Sequence, residues 1–186
     1  MDQKRINEVL LRNVSLLSPT SDKEEAMMPR GSAPLPSVEE VERIVALAKR
    51  IIFIDYFCKR QPEEQLRRHY IGVDMEELYS LLRRQIARGL QFCEDCGEDD
   101  MLPAAEELAL RFLDLLPEVK RMLYTDVEAM FQNDPAATNY GEVIYCYPVV
   151  NTMTHYRLAH VLHGLRVPVI PRIITEQAHS RTGIDI

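Results

Sequence analysis

Two aspartates stand where a carboxylate has room to do chemistry. Asp134 precedes Pro135, and a residue before proline is disfavoured in the α region, so the helix leading to it should end there. Its side chain then sits at a turn that a ligand can reach. Asp185 lies between Ile184 and Ile186; in a strand the two isoleucines point to one side and Asp185 to the other. Spacing alone leaves a plainer reading open for each. Asp134 then only ends a helix in an Asp-Pro turn, and Asp185 is only a polar strand residue.

Other chemistry-bearing residues lack the company that their chemistry needs. Cys93 and Cys96 have C-x-x-C spacing, but a structural zinc needs about four ligands and no second C-x-x-C exists. No βαβ context supports a redox pair, so they are expected to be ordinary thiols near a helix end. His160 and His163 share a helix face without a carboxylate on that helix, which favours packing or surface roles over a metal site. His179 and Asp185 are too far apart in sequence for the His-x4-Asp of glycerolipid acyltransferases. There is no G-x-G-x-x-G, P-loop, G-x-S-x-G or H-E-x-x-H.

The elements that must position these residues read as almost wholly helical. Ile6, Val9, Leu10 and Leu17 predict a first amphipathic helix from about residue 3 to 15. The Ser-, Pro- and Gly-containing residues 18–37 read as a flexible linker. Ser37 and Glu40 form a capping-box pattern, and Val38, Val41, Ile44, Val45, Ala48, Ile51 and Ile52 predict a helix to about residue 58. Asp74 with Glu77 predicts the cap of a next helix, with Leu78, Leu81, Leu82 and Ile86 inward. The acidic stretch from Cys93 to Asp100 reads as a turn. Pro103 is expected to start a helix and Pro117 to break it or begin another, since proline lacks an N–H. Residues 149–165 are apolar on nearly every side, as in a core helix or a subunit interface. A last helix follows Pro168. The expected division is residues 1–17 as an N-terminal helix, 18–37 as linker, 38–182 as helical domain, and 183–186 as the start of a strand-bearing coil.

Bulk properties narrow the function classes. A formal net charge of −7 argues against a nucleic-acid binder, which carries a basic face. No apolar run approaches the roughly 20 residues of a membrane span, and the N-terminus has no signal-peptide pattern. The expectation is a cytoplasmic protein with no membrane partner and reduced thiols.

The terminal pattern is the informative part. Asp-Val-x-Ala-x4-Asp-Pro-Ala runs from Asp126 to Ala136, followed by Tyr140, Tyr147-Pro148, Tyr156-Arg157 and His160. Ile170 to His179 then leads into Thr182-Gly183-Ile184-Asp185-Ile186. This ordered set resembles the helical N-terminal region of the serine O-acetyltransferases, where it leads into a left-handed parallel β-helix of hexapeptide repeats. The likeness covers residues 119–186 most fully. Earlier, Ile51 to Phe57 resembles the family branch with a longer N-terminal region.

The resemblance implies an all-α chain, and an enzyme that moves acetyl from acetyl-CoA to the hydroxyl of L-serine for cysteine biosynthesis. Asp134 matches the aspartate that pairs with the substrate ammonium. Asp185 matches the aspartate that orients the general-base histidine and steadies its charged form. That histidine, a second substrate aspartate, the arginine for the serine carboxylate and the acetyl-CoA groove are implied to lie past Ile186. The chain by itself is therefore expected to bind no cofactor and to be inactive. L-cysteine is the implied feedback inhibitor, a homo-oligomer (trimer or hexamer) the implied assembly, and cysteine synthase a partner through a C-terminal tail. The alternative is a helical assembly or regulatory domain without catalysis.

Overall fold

The computed structural model describes residues 3–29, 33–58, 63–93 and 96–186. Parts of the expected 18–37 linker and of the acidic 93–100 turn lie outside the described residues. The chain divides into two compact units, Met1–Gly31 and Ser32–Ile186.

In the first unit α1 (Gln3–Leu17) buries none of its residues. Val9, Leu10, Val14 and Leu17 are all exposed. Within residues 18–37 the chain makes one further helical turn, α2 (Asp22–Glu25). A capping box sets it: Ser21 N–H donates to Glu24 Oε2 at 2.8 Å, and Glu24 N–H donates to Ser21 Oγ at 3.3 Å.

The second unit begins with α3 (Val38–Ile52). Ser37 caps it by accepting the Glu40 N–H at 3.1 Å. The reciprocal arm of the expected box is supplied differently: Ser37 N–H donates to Gln85 Oε1 at 2.8 Å, while the Glu40 carboxylate takes Arg84 at 3.0 and 2.9 Å. The helix does not run unbroken to 58. It bends at Phe53 (φ −110°, ψ 50°) into the short α4 (Ile54–Phe57). The fully buried Phe53 ring packs on Tyr124 at 5.4 Å and on Phe57 at 6.4 Å, so core packing overrides the helical pattern there.

Helix α5 (Glu64–Leu90) corrects the expected start at Asp74. Asp74 lies inside the helix and is gripped by Arg50 of α3, whose Nε donates to Asp74 Oδ2 at 2.6 Å. A nearly buried carboxylate needs such a partner, and this one staples two helices. Helix α6 (Met101–Asn133) corrects a second expectation, because it runs straight through Pro117. Interior proline costs about 3 kcal/mol through its missing N–H and its ring clash. Phe112, Leu116, Val119, Leu123 and Val127 lie buried on both sides of it. Each contributes roughly 1.5–3 kcal/mol, enough to hold the helix together.

Three helices complete the unit: α7 (Tyr140–Cys146), α8 (Pro148–Gly164) and α9 (Ile170–Thr182). α8 packs on α6, α9 and α3, and these cover Val150, Leu158, Ala159 and Leu162. The all-round apolar pattern of residues 149–165 thus reflects a core helix of one chain. Before α9, Val169 takes φ 63° and Ile170 N–H closes a tight turn on Pro168 O at 2.6 Å. Gly89 of α5 lets this turn approach: a Cβ there would meet Pro168 O at 2.9 Å. α9 ends at Gly183 in the left-handed region (φ 69°), where glycine carries no Cβ penalty. Among the described residues there is no strand, and no helix is long and apolar enough to cross a membrane.

Candidate functional site

Two X-Pro dipeptides build the site. Asp134 caps the end of α6 with φ −110°, ψ 104°, outside the α region as Pro135 requires, and its N–H still donates to Met130 O at 3.1 Å. Tyr147 precedes Pro148 and is likewise extended (φ −77°, ψ 122°) at the start of α8. The phenolic O–H of Tyr147 donates to Asp134 Oδ2 at 2.6 Å, and Ala136 N–H donates to Oδ1 at 2.9 Å. Both carboxylate oxygens are thereby held.

These bonds set the charge. The hydrogen bond from Tyr147, then that from the Ala136 backbone, holds the Asp134 carboxyl below its usual range, against a smaller opposing effect of burial. Tyr147 is pushed up to about 12, chiefly by the same bond, and so remains a donor at neutral pH. Asp134 is half-buried, and among the described residues no lysine or arginine pairs with it.

One link earlier in the chain, Arg157 of α8 clamps Asp126 of α6, with Nε to Oδ2 at 3.1 Å and Nη2 to Oδ1 at 2.9 Å. The two side chains are 23% and 15% exposed. The clamp fixes α6 against α8 and so sets where Asp134 and Tyr147 meet. Tyr140, at the start of α7, packs on Phe131 with ring centroids 4.3 Å apart. A groove of about 570 Å³ runs beside it, lined by Asp55, Tyr56, Tyr124, Glu128, Tyr140 and Ile144.

Asp185 is placed elsewhere. It lies past the end of α9, is 93% exposed, and accepts a 2.8 Å contact from Nδ1 of the half-exposed His179. Among the described residues no hydrogen bond or ion pair joins Asp134 to Asp185. His160 stacks on Tyr156 at the surface, 5.7 Å between centroids. The four cysteines are free, and burial, then neighbouring Cys93, pushes the Cys96 thiol up, away from the reactive thiolate. Among the described residues no three His, Cys, Asp or Glu side chains gather as metal ligands.

Spacing did not reveal the Tyr147–Asp134 bond or the Arg157–Asp126 clamp. A readable signal exists for the first: two X-Pro dipeptides flank a single short helix, which brings their preceding residues to the two ends of one loop.

The fold is that of the helical part of solved serine acetyltransferases. The native serine acetyltransferase 1 of Entamoeba histolytica superposes with a TM-score of 0.63 at 26% identity, covering 88% of this chain and 56% of that one. The same enzyme in complex with L-cysteine superposes with a TM-score of 0.63 at 25% identity, covering 92% of this chain and 56% of the other. In sequence, a plasmid serine acetyltransferase of Synechococcus elongatus is 36% identical over 159 residues, 82% of this chain and 50% of the relative. No family model matches the sequence. The chain spans about half the length of that relative. It belongs to the serine acetyltransferase family, over the helical N-terminal domain that precedes the β-helix.

Proposed function

We propose that this chain is the substrate-grip part of a serine O-acetyltransferase, which moves acetyl from acetyl-CoA to the L-serine hydroxyl and yields O-acetylserine for cysteine biosynthesis. The observation that carries this reading is Asp134: a half-buried carboxylate, held at both oxygens by Tyr147 and Ala136 and, among the described residues, without a cationic partner, in a chain of this family. Such a group suits the serine ammonium. L-cysteine has the same amino and carboxylate ends, and the likeness to a cysteine-bound relative supports it as a ligand and feedback inhibitor of this site.

Asp185 is the proposed orienting group of the general-base histidine. Its place after α9, exposed and, among the described residues, held by His179 alone, leaves its carboxylate free to turn toward another imidazole. Acetyl-CoA is the co-substrate, bound by hexapeptide-repeat coils rather than by these helices. Residues 1–17 as a separate helix, 18–37 as linker and 183–186 as the lead into the first coil complete the proposed division. A cytoplasmic homo-oligomer, trimer or hexamer, fits the exposed rings of Tyr56, Tyr124, Tyr140 and Tyr145. Cysteine synthase is its further partner.

A thiol-release assay with acetyl-CoA and L-serine tests the assignment. The enzyme extended through its β-helix should turn over, and residues 1–186 alone should not. Turnover by residues 1–186 would place the catalytic base inside them and overturn the division of labour.

A further inference from the structure

We infer that Tyr147 is the second residue of the ammonium subsite: it orients the Asp134 carboxylate through its O–H and offers its own oxygen to the bound amine. The inference rests on the assignment of Asp134 to the serine ammonium.

The geometry carries it. An ionised carboxylate has about four lone-pair positions, and Asp134 spends one on Ala136 N–H and one on the Tyr147 hydroxyl, leaving about two for a ligand. A phenol that donates its hydrogen keeps its oxygen lone pairs as acceptors. Asp134 Oδ2 and Tyr147 Oη lie 2.6 Å apart, so one nitrogen at roughly 2.8 Å can reach both. A primary ammonium has three hydrogens, of which this pair takes two.

The partners also settle the charge of the ligand. Asp74 and Asp126, both well buried, are each answered by an arginine. Asp134 is answered by a neutral phenol and a backbone amide, which fix its direction and, among the described residues, leave its charge uncompensated. Glu142, close enough to Asp134 for the two charges to repel, is held by the Thr138 hydroxyl and N–H at 2.5 and 2.9 Å. Its carboxylate adds to the negative potential there. The arrangement favours a cation with several N–H donors. A first N-methyl group leaves the two donors that the pair would engage, and a second removes one of them.

Tyr147→Phe keeps the ring and removes the oxygen. Carbon-13 titration of the Asp134 carboxyl in residues 1–186 should show its pKa rising in the variant, while the thermal melt confirms an intact fold. In the enzyme extended through its β-helix, the serine KM should rise about tenfold with little change in kcat. The preference for serine over N,N-dimethylserine, whose ammonium keeps one N–H for the two acceptors, should narrow. Asp134→Asn, measured beside it, separates two failures. If Asp134→Asn raises the serine KM and Tyr147→Phe does not, the inference is overturned and the serine assignment stands. If neither variant moves the serine KM, the assignment of Asp134 fails and the inference falls with it.

Discussion

The two aspartates of the proposed active site are built in opposite ways. Asp134 is held at both oxygens by groups of the segment that joins α6 to α8, and the α6–α8 clamp stands behind it. Asp185 hangs past the last helix with, among the described residues, the exposed His179 for a partner. The difference separates a preorganised binding group from a group that takes its geometry from whatever packs against it. A carboxylate that fixes the position of a ligand benefits from rigidity within its own domain. A carboxylate that orients a catalytic imidazole must instead be placed relative to that imidazole.

The contrast gives the largest expected effects in the β-helix-bearing enzyme. Asp185→Asn should lower kcat by about a hundredfold or more while leaving the serine KM in place, because it acts through the base and not on the ligand. Asp134→Asn should do the reverse: serine KM and cysteine inhibition worsen together by about ten- to a hundredfold, and the acetyl-CoA KM barely moves. Steady-state kinetics of both variants decide the matter. Swapped patterns would exchange the two roles, and a fall in acetyl-CoA binding with Asp134→Asn would place it on the other substrate.

Much of this was legible in the sequence, for definable reasons. Three-and-four spacing of apolar residues reports a buried helix face directly, so the all-helical fold was readable, and the restriction on a residue before proline gave the end at Asp134. The errors came where tertiary contacts override local signals. Asp74 looks like a cap because capping and cross-helix pairing use the same side chain, and only Arg50 across the gap decides between them. Pro117 looks like a break because its cost is local, whereas the buried residues flanking it are repaid by other helices. The apolar pattern of 149–165 showed that α8 is covered and left open whether this chain or another copy covers it. For the site, the ordered residues from Asp126 to Arg157 carried the family, but periodicity cannot show that Asp126 and Arg157 hold each other.

The clamp should show next in stability. Arg157→Ala removes a two-bond partner from a carboxylate that is 15% exposed, which should cost about 1.5–3 kcal/mol and lower the thermal midpoint by several degrees. Arg172→Ala is the control, since Arg172 is 85% exposed and meets Glu176 only at 3.9 Å; its midpoint should not change measurably. Equal effects of the two would mean that the clamp does not tie α6 to α8.

Acid sharpens the same comparison from the other side. The carboxyl of Asp134 titrates below its ordinary value of 3.8 in the folded chain. Its contribution to stability is therefore present above the unfolded pKa and is lost as pH falls through the folded one. The difference in thermal midpoint between the wild type and Asp134→Asn should be steady from pH 7 to about 5 and shrink as the pH falls below about 4. A difference that grows on acidification would reverse the sign and show that the protonated form is the one the loop stabilises.

The smallest effect belongs to the tail. Asp185→Ala in residues 1–186 removes a carboxylate that is 93% exposed from a histidine that is 52% exposed. Exposed pairs of this kind gain little, because water screens the attraction and holding the side chains together costs entropy. The midpoint should stay within about 1 °C of the wild type. Asp185 would then be free of any duty in the helical fold, as a group reserved for orienting a partner imidazole must be. A fall of several degrees would instead make the His179–Asp185 contact part of the fold's own closure at the end of α9, and the proposed catalytic role would have to compete with it.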